Sequence, residues 1–244
     1  MDRRFVDCHS HVVPSGDDGA ATIQDGLALC KSAAQHGTAI LFATPHVWPY
    51  FTLSEERETE IREAYERMRP HAGLELRLGF ELTPAPALLR DDPARYVLEG
   101  TDLVLVEVPF SGPASDLIEL AQHIEDAGLI PLVAHPERTE SIRERPALAS
   151  ELARRWPLQV NASSLLGRHG IEAQEIAWSL VEAGDIAAVA SDGHRLSRPA
   201  RIDEAYELAK ARVGEDAALP LFDGSALGVS SGRPLPSRAA ARGA

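Results

Sequence analysis

The chain has 244 residues, 44% of them hydrophobic and 25% charged, with a formal net charge of −13. That length buries roughly three quarters of the unfolded-chain surface, so folding needs no disulfide staple, and either one barrel or two small domains would fit. Thirty-seven acidic residues stand against 24 basic ones, and only Lys31 and Lys210 are lysines. This balance excludes a nucleic-acid interface built on phosphate neutralisation.

Short apolar runs recur along the chain, and each is closed by polar residues. Residues 4–7 read as a first strand running into His9-Ser10-His11, with Asp17 and Asp18 close behind. Ile23, Leu27, Cys30 and Ala34 then share a helical face, ended by Gly37. Residues 39–43 form a second strand leading to Thr44-Pro45-His46, and Ser54 before Glu55 and Glu56 reads as an N-cap with acids in the first turn. The third strand, 74–78, leads to Gly79-Phe80-Glu81, and the fourth, 103–106, to Glu107-Val108-Pro109. Leu117, Leu120, Ala121 and Ile124 make the next helical face, ended by Gly128. The fifth strand, 129–133, precedes His135-Pro136-Glu137-Arg138, and the sixth, 158–160, precedes Asn161-Ala162-Ser163-Ser164. Ile176, Leu180 and Ala183 mark a helix closed by Gly184, the seventh strand, 186–190, ends in Ser191-Asp192-Gly193-His194, and Gly214 closes a last helix.

Seven alternating strand–helix units predict an α/β fold, a distorted parallel barrel one unit short of the usual eight, with an open doubly wound sheet as the alternative. The apolar runs, mostly without alternation, suit strands buried on both faces. Residues 1–230 read as a single domain; 231–244, with Arg, Ala, Pro and Gly but no apolar face, read as a loosely ordered tail. The chain start lacks the apolar stretch of a signal peptide, no run approaches the roughly 20 apolar residues of a membrane span, and Cys8 and Cys30 make no disulfide framework. A cytoplasmic protein without membrane insertion is expected.

A parallel barrel brings its strand ends to one face. Five histidines (His9, His11, His46, His135, His194) and four carboxylates (Asp18, Glu81, Glu107, Asp192) then converge. His9 and His11, two apart, share a strand face and can hold one ion; so can Asp192 and His194 if that segment stays extended. Such donors suit several divalent cations of the Zn, Mn, Fe or Mg kind rather than a thiolate-bound structural zinc, and they are too many for one ion. A lone His-x-His is a weak signal, and His46 or His135 beside a proline could be an ordinary loop residue. Ionisable residues after nearly every strand are another matter, because burying them unpaired is costly. Several bound cations would also leave the pocket positive enough for a phosphate dianion. His36, His71 and His123 read as surface residues, and His169 as a candidate at the pocket mouth.

In combination the motifs carry a resemblance. Asp7-Cys8-His9-Ser10-His11, Asp17-Asp18-Gly19, Ala43-Thr44-Pro45-His46 and Gly79-Phe80-Glu81-Leu82 are followed by Val106-Glu107-Val108-Pro109 and Ala134-His135-Pro136-Glu137-Arg138. Asn161-Ala162-Ser163-Ser164 and Ser191-Asp192-Gly193-His194, with Arg198-Pro199, complete the series. Over most of the chain this resembles the PHP (polymerase and histidinol phosphatase) family and, more narrowly, the CpsB/CapC-type capsule-biosynthesis manganese-dependent tyrosine-protein phosphatases. The resemblance implies a (β/α)7 barrel of PHP fold with three divalent ions, Mn²⁺ first and Fe, Zn or Mg as alternatives. One ion would be held by His9, His11, Glu81 and Asp192. A second would use Glu81 as a bridge with Glu107 and His135, and a third Asp18, His46 and His194. Arg138 and Arg198 match positions that grip phosphate, and His169 is a candidate acid for the leaving group. Residues 221–225 lack the Asn-Pro associated with the family's last segment, and Arg195 stands where a small polar residue is common.

The implied activity is phosphomonoester hydrolysis, with protein phosphotyrosine as substrate, in exopolysaccharide and capsule regulation. A bacterial tyrosine kinase tail is the implied partner. A small-molecule phosphatase of the histidinol-phosphate or nucleotide type is the alternative. A cysteine-dependent mechanism is excluded, since the sixth residues after Cys8 and Cys30 are Pro14 and His36 rather than Arg. Alternation places Cys8 away from the two histidines, in the layer between barrel and helices. An amidohydrolase with a carboxylated lysine is disfavoured because Lys31 and Lys210 lie on helices. A non-enzymatic scaffold would show a damaged donor set, and all nine positions are filled.

Overall fold

The computed structural model describes residues 5–111 and 114–229. The tail expected at 231–244 lies outside the described residues. The seven predicted strands are present as nine segments: β1 (Phe5–Asp7), β2 (Thr38–Ala43), β3 (His46–Val47), β4 (Glu75–Leu78), β5 (Glu81–Leu82), β6 (Leu103–Glu107), β7 (Ile130–Ala134), β8 (Leu158–Asn161) and β9 (Ala188–Ala190). Thr44-Pro45 separates β2 from β3, where proline has no N–H for the ladder, and Gly79-Phe80 separates β4 from β5. Pairing continues across both breaks: the Gly79 N–H donates to Ala43 O at 2.9 Å and that of Glu81 to Pro45 O at 3.1 Å.

All the pairings between these strands are parallel, in the orders β1-β2-β4 and β3-β5-β6-β7-β8-β9. Just past β1 and β9 the two ends meet. The His11 N–H donates to Gly193 O at 2.7 Å, and the Asp192 N–H to His9 O at 2.9 Å. The circuit thus closes as a distorted parallel (β/α)7 barrel rather than an open doubly wound sheet.

Alternation along the strands sorts the core into two clusters. Ile40, Phe42, Leu103, Leu105, Leu132, Ala134, Ala188 and Ala190 gather inside the ring with Val6 and Cys8. Leu41, Ala43, Val104, Val106, Val133, Val160 and Val189 belong instead to the larger cluster shared with the helices. Both faces are buried along most strands, as the mostly unbroken apolar runs required, with Glu75 at the start of β4 exposed. Cys8 is a core residue, but it lies in the inner cluster and not between barrel and helices. The reason is that β1 ends at Asp7, so strand alternation does not extend through His9.

The helices are α1 (Ile23–Gln35), α2 (Glu55–Met68), α3 (Ser115–Asp126), α4 (Glu140–Glu144), α5 (Ala147–Ala153), α6 (Ala162–Leu165), α7 (Ile171–Ala183), α8 (Asp203–Val213) and α9 (Glu215–Ala218). Ser54 caps α2 by accepting from the Arg57 N–H, with Glu55, Glu56 and Glu58 in the first turn. Leu117, Leu120, Ala121 and Ile124 form the buried face of α3, as expected. Two faces are broader than expected. In α1 Cys30 is buried and Ile23 and Leu27 pack against the core, but Gly26, Leu29 and Ala33 are buried too. In α7 Ile176 and Leu180 are buried with Ala173, Ala177 and Val181, and Ala183 is exposed.

Candidate metal centre

The strand ends deliver all nine predicted donors to one pocket, eight of them buried. His9 and His11 follow β1, and their Nε2 atoms lie 3.2 Å apart. Asp192 Oδ1 stands 3.5 Å from the first and 3.4 Å from the second, which completes one group of three donors. Glu81, at the start of β5, joins this group to its neighbours. Its Oε2 lies 3.2 Å from His9 Nε2, 3.3 Å from His11 Nε2 and 2.9 Å from His46 Nδ1; its Oε1 lies 2.8 Å from His135 Nε2. His9, Glu81 and His135 make the second group, with Glu107 Oε2 at 3.9 Å from His135 Nε2. His11, His46 and His194 make the third. Asp18, its side chain 52% exposed, reaches this group from the rim, with Oδ1 3.5 Å from His46 Nε2 and 3.3 Å from His194 Nε2.

Local backbone aims these side chains. Among the described residues, His135 (φ +31°) and Asp192 (φ +51°) are the non-glycine residues at positive φ, a conformation costing about 1–3 kcal/mol each. Asp192 therefore breaks the extended run, yet its Oδ1 still lies 3.4 Å from His194 Nδ1. The two belong to neighbouring groups of three donors. Gly193 permits this turn, since a Cβ there would lie 2.5 Å from Ala200 Cα.

The donor set fits divalent cations. Ligands about 2.0–2.2 Å from a shared ion stand roughly 3–3.5 Å from one another, and most of the separations here lie in or near that range. Glu81 Oε2 meets three imidazole nitrogens without making a hydrogen bond, and the buried Glu107 Oε2 and His135 Nδ1 also lack one. Buried polar atoms left this way are costly unless something else engages them. No thiolate is offered, because burial, reinforced by the Asp7 charge, pushes the Cys8 thiol far up.

Charge within the pocket is shared. Burial alone would lower His11, but Asp17, Asp192 and Glu81 outweigh it and hold the imidazole well above its ordinary value. His46 is raised to about 9: burial and His11 oppose its proton, and Glu81 and Asp18 prevail. Glu81 and Asp192 stay well below the carboxylate range, because the surrounding positive groups, His9 foremost, overcome the burial penalty. Glu107 goes the other way, to about 7, since burial and the charge of Glu81 both disfavour its ionisation.

A supporting layer was missed in the sequence. Gln159 Oε1 lies 2.9 Å from His9 Nδ1, its amide donates to Asn161 Oδ1 at 2.9 Å, and Asn161 Nδ2 donates to Asp192 Oδ2 at 2.7 Å. Asp17 Oδ2 lies 3.6 Å from His11 Nδ1 and accepts the His46 N–H at 3.1 Å. Thr83 Oγ1 donates to Glu107 Oε1. The available signals were a glutamine inside an apolar strand and the first acid of Asp-Asp-Gly.

Arg138 and Arg198 converge here too. Arg138 Nη1 donates to Asp192 Oδ2 at 2.8 Å, and Arg198 Nη2 donates to the same oxygen, leaving its own Nε without a partner. Both arginines line the cavity of about 390 Å³ that opens above His46, His135 and His194.

His169 lies instead in an adjoining cavity, with Arg138 and Phe110. Its Nδ1 is 3.0 Å from Ser164 Oγ, which donates to the buried Glu137 at 2.7 Å. Burial, then the charges of Arg138 and Arg198, push this histidine down to about 4. Its ordinary value is about 6.5, so the unfolded chain binds the extra proton first. His169 therefore supports the fold fully above pH 6.5 and withdraws that support as pH falls toward 4. In His169→Gln the melting temperature should decline less over this window than in the parent; parallel melting curves would contradict the assignment.

A family model, Capsular polysaccharide synthesis, CpsB/CapC, matches residues 5–227. The chain belongs to the CpsB/CapC family. Within reach of this CpsB/CapC chain, the tyrosine-protein phosphatase YwqE of Bacillus subtilis (strain 168) is 28% identical over 91% of each chain. The putative tyrosine-protein phosphatase CapC of Staphylococcus aureus is 26% identical over 86% of this chain and 85% of its own. A solved structure from work on YwqE of B. subtilis and CpsB of Streptococcus pneumoniae, described as unique metal-dependent tyrosine phosphatases, superposes with a TM-score of 0.78. It is 28% identical and covers 88% of this chain and 90% of its own. A zinc-bound amidohydrolase from Burkholderia ambifaria, at 14% identity and a TM-score of 0.55 over 99% of this chain and 88% of its own, shares the fold alone.

Proposed function

We propose that this chain is a metal-dependent protein-tyrosine-phosphatase, releasing phosphate from phosphotyrosine in the regulation of capsule or exopolysaccharide synthesis. The observation that carries the reading is the Glu81 carboxylate held among four imidazoles, beside two arginines that meet on Asp192 in the same cavity. Names and family of the relatives support the same reading. Three divalent ions are proposed, manganese first, with Fe, Zn or Mg as alternatives. His9, His11, Glu81 and Asp192 would hold one, Glu81, Glu107 and His135 a second, and Asp18, His46 and His194 a third. When bound, such ions lower the pKa of water from 15.7 to about 7 and draw charge from phosphoryl oxygens.

The chain's own groups do the rest. Arg138 and Arg198 grip phosphoryl oxygens, for which a guanidinium fork is suited. Gln159 and Asn161 fix His9 and Asp192, and Thr83 fixes Glu107. A departing phenolate, of pKa about 10, demands no strong acid. His169 is neutral at neutral pH and serves as a positioning group beside Arg138. The proposed partner is a phosphotyrosine protein such as a bacterial tyrosine kinase tail, and the proposed compartment is the cytoplasm. Among the described residues no helix is long and apolar enough to cross a membrane.

Purified protein with added Mn²⁺ should dephosphorylate a phosphotyrosine peptide and lose about a hundredfold or more of that rate on chelation. Phosphoserine peptide and histidinol phosphate, assayed alongside, should be poorer substrates. Activity that survives complete chelation would refute the reading.

A further inference from the structure

We infer that the mouth of this pocket is a cleft for the ring of an aryl phosphomonoester, walled by Phe110 on one side and by the Trp48–Tyr50 stack on the other. The inference rests on the phosphatase reading and names how that site selects its substrate.

Two exposed large aromatic side chains occur among the described residues: Tyr50, 83% exposed, and Phe110, 47% exposed. Both line the cavity above the metal donors. Neither they nor Trp48 belong to a core cluster, so packing of the fold does not account for them. An exposed ring that stabilises no core, placed at a cavity mouth, is a binding feature before it is a structural one.

The walls are fixed to the centre itself. Phe110 lies parallel to His135, with an interplanar angle of 8° and centroids 5.6 Å apart, and the Arg138 guanidinium sits 4.9 Å from its centroid. Trp48 stacks on His46 at 4.4 Å and 27°, and Tyr50 stacks on Trp48 at 5.7 Å and 29°. His46 and His135 approach opposite oxygens of Glu81. The two aromatic walls therefore rise from two different sides of the donor cluster. Pro49 and Pro109 stand next to them in the chain and in the cavity lining, which stiffens both walls.

A phosphate gripped by Arg138 and Arg198 points its ester oxygen outward between these walls. A phenyl ring there meets apolar faces and carries the peptide backbone clear of the mouth. A phosphoserine, one carbon from its backbone, has no ring to place and must bring main chain against the rim. The cleft therefore favours aryl over alkyl esters by ring contact rather than by charge.

The test compares binding and turnover in the full-length protein loaded with Mn²⁺. Calorimetry with phenylphosphonate and methylphosphonate gives the aryl preference without turnover, and kcat/KM for phenyl phosphate against β-glycerophosphate gives it in catalysis. In Phe110→Ala both ratios should fall about threefold to tenfold, the worth of one offset aromatic contact. Tyr50→Ala, at a side chain too exposed to affect folding, should lower them about twofold to threefold. Ratios unchanged in both variants, with an active parent, would overturn the cleft and leave the phosphatase reading standing. A parent inactive toward both esters would overturn that reading and the cleft together.

Discussion

Glu81→Gln is expected to lower kcat by about a thousandfold or more and to strip at least one ion from each chain. The substitution keeps the shape of a fully buried side chain and leaves its backbone bond to Pro45 intact, so the barrel should fold. What changes is charge and donor type. The carboxylate faces His9, His11, His46 and His135, and among the described residues no other carboxylate is paired with all four. An amide brings N–H groups toward nitrogens that need a shared cation, and it removes the negative charge that would bind two ions together. Metal ions supply several kcal/mol of transition-state stabilisation, and about 4 kcal/mol is a factor of a thousand. Elemental analysis of the purified variant, with turnover on a phosphotyrosine peptide, decides the matter. Parental metal content together with parental kcat would remove Glu81 from the bridging position.

The sequence was legible where physics writes it in composition. Strands buried on both faces are mostly apolar, so most of the seven stood out as unbroken runs and 74–78 by alternation. The cost of burying acids and imidazoles unpaired pointed to a site after them. Contacts made by backbone, or by residues distant in the chain, left no such trace. The centre of the α1 face went unseen because Gly26 carries no apolar side chain, yet it approaches the barrel closely: a Cβ there would lie 2.0 Å from Val12 O. β3 and β5 are two residues each, too short for any pattern. The left-handed turns at His135 and Asp192 aim two of the donors; histidine and aspartate tolerate that conformation better than most residues, but nothing in the local sequence required it there. Gln159 finds its partner 150 residues away, a pairing that only the closed barrel creates.

Arg198→Ala and Arg138→Ala should each cut kcat/KM by about a hundredfold to a thousandfold, the usual result of removing one preorganised donor from a developing anion. The fold should survive both changes. Asp192 Oδ2 keeps Asn161 and the remaining arginine when either is lost, so its buried charge is not left unpaired. Lysine should not restore the loss, because an ammonium supplies charge without the planar pair of donors that matches two phosphoryl oxygens. Since both guanidiniums meet at one carboxylate oxygen, removing one lets the other shift, and the double variant should lose less than the product of the single losses. The measurement is kcat and KM for all five variants on one phosphotyrosine peptide, with melting temperatures as control. An Arg198→Lys enzyme as fast as the parent would reduce the grip to simple attraction, and a fully active alanine variant would show that its arginine serves Asp192 alone.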